Sequence, residues 1–174
     1  MSKRVLYVSF IFMSLFVCML PNTLLASDYA TGREAAISGN YEEAIKIWEK
    51  LVLEGDVLAA YSLAQIYQNG LGVLRDYEKA RTLFHVAALL GYSDAQYSLG
   101  AHYLSLAGAS MDNEIKSNTA MDIVKGYTWL SIAAKNGHAD APELLNQLET
   151  RLPTQLVLDA QAHANTCKDN LIQC

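Results

Sequence analysis

The sequence predicts an all-α protein, an α/α solenoid of antiparallel helix pairs with a capping helix at each end. The first observation is an internal repeat, because a pattern of glycine, alanine, tyrosine and leucine recurs from Gly55 to Gly91 at a shift of 36 residues. The second is the spacing of apolar residues within each unit at i, i+3, i+4, i+7 and i+8, which is typical of one helix face. A unit of this length cannot bury its apolar face alone, so neighbouring units are expected to stack.

The repeat divides the chain into units at about 28–55, 56–91 and 92–137, followed by the start of a further helix at 139–151. The matched first-helix positions are Gly55, Ala59, Tyr61, Leu63 and Tyr67 in one unit and Gly91, Ala95, Tyr97, Leu99 and Tyr103 in the next. The second-helix stripe of the middle unit is Ala80, Leu83, Phe84, Ala87 and Ala88. A glycine follows each second helix, where a left-handed residue ends a helix well. We therefore predict a solenoid at 27–151 and a C-terminal capping helix with a cysteine tail at 152–174.

The third unit departs from this pattern, because a long segment from Leu104 to Met121 separates its two helices. The segment is rich in glycine, serine, aspartate and asparagine, which favours a loop. Loops of this length inside a compact array are commonly either functional or disordered. The residues alone leave both possibilities open.

Two runs of residues, 69–91 and 95–103, carry a specific family resemblance. The turn positions are Gly70, Gly72, Val73 and Asp76, and the second-helix positions are Lys79, Ala80, Phe84, Ala87, Ala88 and Gly91. Together with the Ala-Gln-Tyr-Ser-Leu-Gly-Ala-His-Tyr run, this pattern resembles the Sel1-like repeat, a longer relative of the tetratricopeptide repeat. The resemblance covers about residues 41–147. It implies a right-handed superhelix and the role of a protein-binding adaptor, and the C-terminal segment is loosely similar to the tails of exported bacterial members.

Residues 1–26 are predicted to form a secretory signal peptide. Lys3 and Arg4 precede an apolar stretch that ends at Leu20. The small residues Ala26 and Ser27 that follow predict cleavage after Ala26. We therefore expect an exported protein, located in the bacterial periplasm, with no stable membrane span after cleavage. The alternative is an uncleaved anchor in the inner membrane, since the apolar stretch falls only a little short of the about 20 residues that span a bilayer.

The charge of the chain disfavours nucleic acid as a partner. Removing Lys3 and Arg4 from the 13 basic residues leaves 11 against 18 acidic residues, so the mature chain carries a formal charge of −7. An acidic surface repels phosphate backbones, and no basic cluster lies along a predicted helix face. The expected partner is a protein or a peptide, and the oligomeric state is left open.

Cys167 and Cys174 are the two cysteines that remain after cleavage. In an exported protein, a close pair of cysteines is a candidate disulfide. Seven residues of continuous helix would separate the two Cα atoms by roughly 10 Å, which is beyond the reach of a disulfide. A bond therefore requires the helix to end soon after Cys167, and the sequence leaves the pairing open.

No combination of side chains in the sequence indicates catalysis. The four histidines form no i, i+4 pair with one another and have no cysteine at a metal-ligand spacing. No nucleophile elbow is present, and the glycine pair at 70–72 lacks the Lys-Ser/Thr ending of a phosphate loop. We therefore expect a protein that is not an enzyme and holds no metal and no cofactor.

The remaining candidate for function is the surface. In helix-pair arrays the first helix of each unit lines the concave side, and the residues of that helix outside the core stripe form a ladder: Tyr61, Gln65, Gln68, Tyr97 and Leu104. Tyrosine offers a large contact area and a hydroxyl group, which suits a protein or peptide ligand. Tyr97 also matches a family position, so packing against the adjacent unit is an equally open explanation for it.

These observations favour a non-catalytic protein-protein interaction scaffold or adaptor in the bacterial cell envelope. The alternative from another class is an envelope enzyme, or a modulator of an enzyme, that acts on cell-wall material. In that alternative the long segment of the third unit would cover the site.

Overall fold

The computed structural model describes residues 21–108 and 117–167, with side chains described over 28–108 and 119–167. These residues form eight helices: α1 Pro21–Ile37, α2 Tyr41–Leu53, α3 Val57–Asn69, α4 Tyr77–Leu89, α5 Ser93–Gly108, α6 Ser117–Lys135, α7 Ala141–Arg151 and α8 Thr154–Cys167. No strand occurs in the described part of the chain. The predicted all-α solenoid class is therefore confirmed.

Each helix packs against its neighbour along the chain, so α1/α2, α3/α4 and α5/α6 form successive antiparallel pairs that stack side by side. The last helix, α8, packs mainly on α6 rather than on α7. It therefore covers α6, the second helix of the third unit. Its buried residues are Val157, Ala160 and Cys167.

The helix ends follow from local chemistry. The carboxylates of Asp56 and Asp76 accept hydrogen bonds from the backbone N–H groups of Ala59 and Lys79 at 2.8 and 2.9 Å, which fixes the first turns of α3 and α4. The residues that follow the second helices, at 55, 91 and 137, have φ values of 87°, 90° and 87°. Only glycine adopts this left-handed conformation without steric cost, so the predicted helix stops are confirmed.

The core is built largely from small residues that let helices approach closely. The predicted second-helix stripe of the middle unit is buried at all five positions. Gly100 of α5 faces Gly126 of α6 so closely that a Cβ on either would lie 3.0 Å from the other's carbonyl oxygen. The same added carbons would meet the Cγ atoms of Leu130 and Leu104 at 2.8 Å. The absence of a side chain at these two positions therefore sets the separation of α5 and α6.

A buried polar link joins the second and third units. The side-chain amide of the fully buried Gln96 donates to the Ala88 carbonyl at the end of α4, at 3.0 Å. Its oxygen accepts from the Asn136 amide beyond α6, at 2.9 Å. Both ends of a buried amide are thus satisfied, and the helix ends of two units are held to α5.

The prediction of a long loop from Leu104 to Met121 is wrong at both ends. Helix α5 continues to Gly108 and helix α6 begins at Ser117, while residues 109–116 lie outside the described residues. The helices extend because Ala107 and Thr119 are almost fully buried, at 1 % and 2 % exposure. The polar composition of the segment gave no indication that these two residues are buried.

The predicted cleavage point after Ala26 lies within helix α1, while the Cys174 end of the candidate disulfide lies outside the described residues. Helix α1 is described from Pro21 onwards, and residues 1–20 are not described. Within the described residues, none of the helices combines the length and the apolar character required to cross a bilayer.

Candidate functional site

A row of aromatic and polar side chains crosses consecutive units, on the first helices α1, α3 and α5 and in the turns that carry Tyr92 and His138. We call it the first-helix face, and it consists of Tyr29, Tyr61, Ser62, Tyr92, Asp94, Tyr97, Ser98 and His138. The ring of Tyr61 lies 5.0 Å from that of Tyr92, edge to face, and 5.6 Å from that of Phe84. The hydroxyl oxygens of Tyr29 and Ser62 are 3.1 Å apart, which joins α1 to α3. The row therefore links neighbouring units by side-chain contacts.

The far end of this face is a stacked pair of rings. Tyr97 and His138 lie with ring centroids 4.2 Å apart and an angle of 5° between their planes. The His138 Nε2 atom is 3.7 Å from an Asp94 oxygen. His138 precedes α7, so the stack connects the third unit to the start of the next helix.

Burial and the neighbouring Asp94 carboxylate raise the pKa of two tyrosines of this face, Tyr61 and Tyr92. Burial, with a smaller contribution from Asp94, raises the pKa of Tyr92 to about 12. Burial also raises the pKa of Tyr61. Both hydroxyl groups are therefore protonated at neutral pH and can donate as well as accept hydrogen bonds.

A groove of about 660 Å³ lies next to this face, between the end of α3, the start of α4 and helix α5. Its lining consists of Gln68, Tyr77, Glu78, Tyr97, Ser98, Ala101, His102, Ser105 and Leu106. Tyr77 and Leu106 are 51 % and 41 % exposed, so the groove presents apolar surface at its rim. Its only carboxylate among the lining residues, Glu78, is paired with Arg81.

His102 contributes an uncharged group to the groove. Burial, followed by the Arg81 charge, lowers the pKa of His102 below its ordinary value. Its Nε2 atom is buried without a hydrogen-bond partner among the described residues. Protonation there would place a charge on an atom that water does not reach, so the neutral ring is favoured.

The structure places the five predicted ladder residues in different surroundings. Gln65 and Gln68 are exposed, and Tyr61 and Tyr97 are half-buried in the contacts given above. Leu104 is half-buried and lies over Gly126, so it contributes to the α5/α6 contact. The groove brings Gln68 and Tyr97 together. Partner binding at these positions stays a prediction.

The site residues that the sequence prediction missed include Tyr77, Tyr92, Asp94 and His138. For Tyr77 a signal existed, since Tyr41 occupies the same position one repeat earlier and both begin a second helix. No repeat signal marked Tyr92 or His138. Their positions depend on how the connections between units fold.

Two further histidines, His85 and His163, contact other side chains. The ring of His85 meets Trp129 edge to face at 5.6 Å, and the His163 Nδ1 atom lies 3.0 Å from the hydroxyl oxygen of Thr128. In residues 28–108 and 119–167, no three His, Cys, Asp or Glu side chains come together in a way that could hold a metal ion. The geometry of the site is that of a contact surface with hydrogen-bonding groups and apolar rims.

Stacked helix pairs with one continuous face of first helices define a helical-repeat protein. Residues 23–56, 57–92 and 93–138 each match the Sel1 repeat. The chain therefore belongs to the Sel1 repeat family, whose repeats generally form non-catalytic scaffolds for contacts with other proteins.

Similar proteins include one curated relative and two solved structures. The relative is an exopolysaccharide production negative regulator of Rhizobium meliloti (strain 1021), 32 % identical over 131 residues that cover 67 % of this chain. The chain matches only 44 % of that relative's length.

The two structures are similar in fold. One is a protective antigen present in uropathogenic Escherichia coli strains, with a TM-score of 0.58, 21 % identity, and coverage of 82 % of this chain and 30 % of that one. The other is a Sel1 repeat protein from Oxalobacter formigenes, with a TM-score of 0.59, 24 % identity, and coverage of 78 % and 55 %.

Proposed function

We propose that this protein is a non-catalytic adaptor that binds a protein or peptide along the first-helix face and the adjoining groove. The observation that carries the proposal is the continuity of the two surfaces. Tyr97 and Ser98 belong to both, so an extended ligand that contacts the row can also reach the groove. Adaptors of this class bind through a long shared surface.

The chemistry of the surface suits a polypeptide. Tyr77 and Leu106 provide exposed apolar area, and the amides of Gln65 and Gln68 are exposed to pair with a ligand's main chain. Tyrosine-rich surfaces with a polar surround are common at protein interfaces. A net charge of −5 for the whole chain fits a partner with a neutral or basic contact surface better than an acidic one.

The proposed compartment is the bacterial periplasm, after removal of residues 1–26. The support comes from the basic, apolar and small-residue order of the N-terminal segment. Expression in a bacterium followed by N-terminal sequencing tests it, with Ser27 as the expected first residue. A chain that keeps its first 26 residues and fractionates with the inner membrane would instead indicate an anchor.

The relative from Rhizobium meliloti is described as a negative regulator. By analogy, we propose that this protein acts by binding another protein and thereby changing that protein's activity or assembly. The matched region consists of repeats, and one repeat scaffold can serve proteins of many different functions. The analogy therefore extends only to binding.

Affinity capture with matched variants tests the adaptor role. The variants are Gln65→Arg and Gln68→Arg, which place a long charged side chain on the first-helix side, and Gln155→Arg on α8 as the control. Glutamines are used because Tyr61 and Tyr97 pack against other rings, and their removal would also disturb the fold. Wild type and control are expected to capture the same envelope proteins, and the first two variants to lose them. Capture of the same proteins by all four would contradict the proposed surface.

A further inference from the structure

A second cavity, of about 300 Å³, lies between α6 and α8 and shares no residue with the groove. It is lined by Tyr127, Ser131, Ile132, Lys135, Gln161, Ala164 and Asn165. Its volume is at the lower end of the range for small-molecule pockets. The scaffold function proposed above does not use this cavity.

Three of the polar lining groups are fixed by bonds within the protein. The Tyr127 hydroxyl donates to Glu149 Oε1 at 2.5 Å, and the Gln161 amide donates to the same oxygen at 3.2 Å. The Ser131 hydroxyl donates to the Tyr127 carbonyl at 2.9 Å. The Glu149 carboxylate therefore already accepts two hydrogen bonds from the lining. Tyr127 is held in place by its bond and is only 5 % exposed.

The remaining polar groups are donors without acceptors among the described residues. Over 28–108 and 119–167, no carboxylate oxygen lies within 4.0 Å of the Lys135 ammonium group. The Asn165 amide makes no hydrogen bond to another described residue. Next to them, Ile132 and Ala164 offer apolar wall. The cavity thus combines the exposed Lys135 ammonium group, the exposed Asn165 amide and an apolar side, with no acceptor for either donor among the described residues.

We propose that this cavity binds the carboxylate group of a small organic ligand. Lys135 would pair with the carboxylate, and the Asn165 amide would donate to its second oxygen or to a neighbouring hydroxyl group. Ile132 and Ala164 would contact the carbon skeleton. Uronic acid sugars and the C-terminus of a peptide both carry a carboxylate next to a carbon skeleton with further polar groups. The test separates these two sources.

The test is a titration followed by ¹H–¹⁵N correlation spectra of the purified chain. The probes are sodium D-glucuronate and N-acetyl-L-alanine, with D-glucose and N-acetyl-L-alanine amide as uncharged counterparts and sodium chloride as the control for ionic strength. At least one carboxylate is expected to shift the amide signals of residues 131–135 and 161–165 in a saturable manner, while its uncharged counterpart does not. Glucuronate alone would identify a sugar acid as the ligand class, and N-acetylalanine alone a peptide terminus.

Two lysine variants on the same helix decide whether Lys135 is responsible. Lys135→Gln is expected to weaken binding by about tenfold, as for a hydrogen bond to a charged group. Lys125→Gln is the matched control, because Lys125 lies on α6 with its amine 5.6 Å from the centre of the Tyr103 ring, away from the cavity lining. The proposal is overturned if neither carboxylate gives saturable shifts, or if the two variants bind equally well.

Discussion

Substitution of the facing glycines of α5 and α6 by alanine should destabilise the protein, although alanine is the better helix former. A Cβ at position 126 would lie 2.8 Å from Leu104 Cγ and 3.0 Å from the Gly100 carbonyl oxygen. A Cβ at position 100 would lie at the same distances from Leu130 Cγ and the Gly126 carbonyl oxygen. Overpacking of this kind costs about 1–3 kcal/mol. The gain in helix propensity offsets about 1 kcal/mol of that cost. We expect a net loss of about 1 kcal/mol for each variant, which lowers the melting temperature by about 2–4 °C in a chain of this size.

Thermal unfolding followed by circular dichroism measures the effect, with Gly108→Ala as the control. Gly108 ends the same helix α5, and a Cβ there would meet nothing within 4 Å, so this change should leave the melting temperature unaltered or raise it. The double variant at 100 and 126 should not show the sum of the single effects, because each added methyl displaces the same pair of helices. If Gly100→Ala and Gly126→Ala raise the melting temperature as the control does, the close approach of α5 and α6 does not stabilise the fold as described.

Three further predictions concern stability and the tail. Because burial holds the pKa of His102 below its ordinary value of 6.5, the unfolded chain binds more protons, so stability should fall as the pH drops below 6.5. Melting curves from pH 8 to 5 should show a smaller fall for His102→Gln, and an equal fall would contradict the assignment. Asp76→Ala should cost about 1 kcal/mol through loss of the helix cap, whereas Asp140→Ala should cost less, since Asp140 makes no side-chain cap bond. Finally, we predict that Cys167 and Cys174 are joined in the exported protein, so a thiol reagent should label them only after reduction, and labelling of the unreduced protein would exclude the bond.

The sequence was sufficient to predict that the repeat helices exist and that the stripe of the middle unit is buried, because both depend on short-range spacing. Ala80, Phe84 and Ala87 recur at helical intervals, and their burial follows once neighbouring units stack. The same is true of the helix stops, where a glycine is the only residue that adopts the required φ without cost.

The site was only partly predictable, because its contacts join residues that the repeat does not relate. Gln68 and Tyr97 could be placed on the first helices from their register. His138 could not, since its stacking on Tyr97 depends on the path of the chain after α6. The extension of α5 and α6 was missed for a similar reason, as the burial of Ala107 and Thr119 arises only when the two helices pack.

We propose that the first helices of the stacked repeats form the surface on which a partner docks. Photo-crosslinking tests this most directly, with benzoylphenylalanine placed at the exposed positions of Gln65 and Gln68 in two variants and at Gln155 in a third. We expect the first two variants to form covalent adducts with the captured partner and the third to form none. Adducts confined to position 155 would show that the partner docks elsewhere.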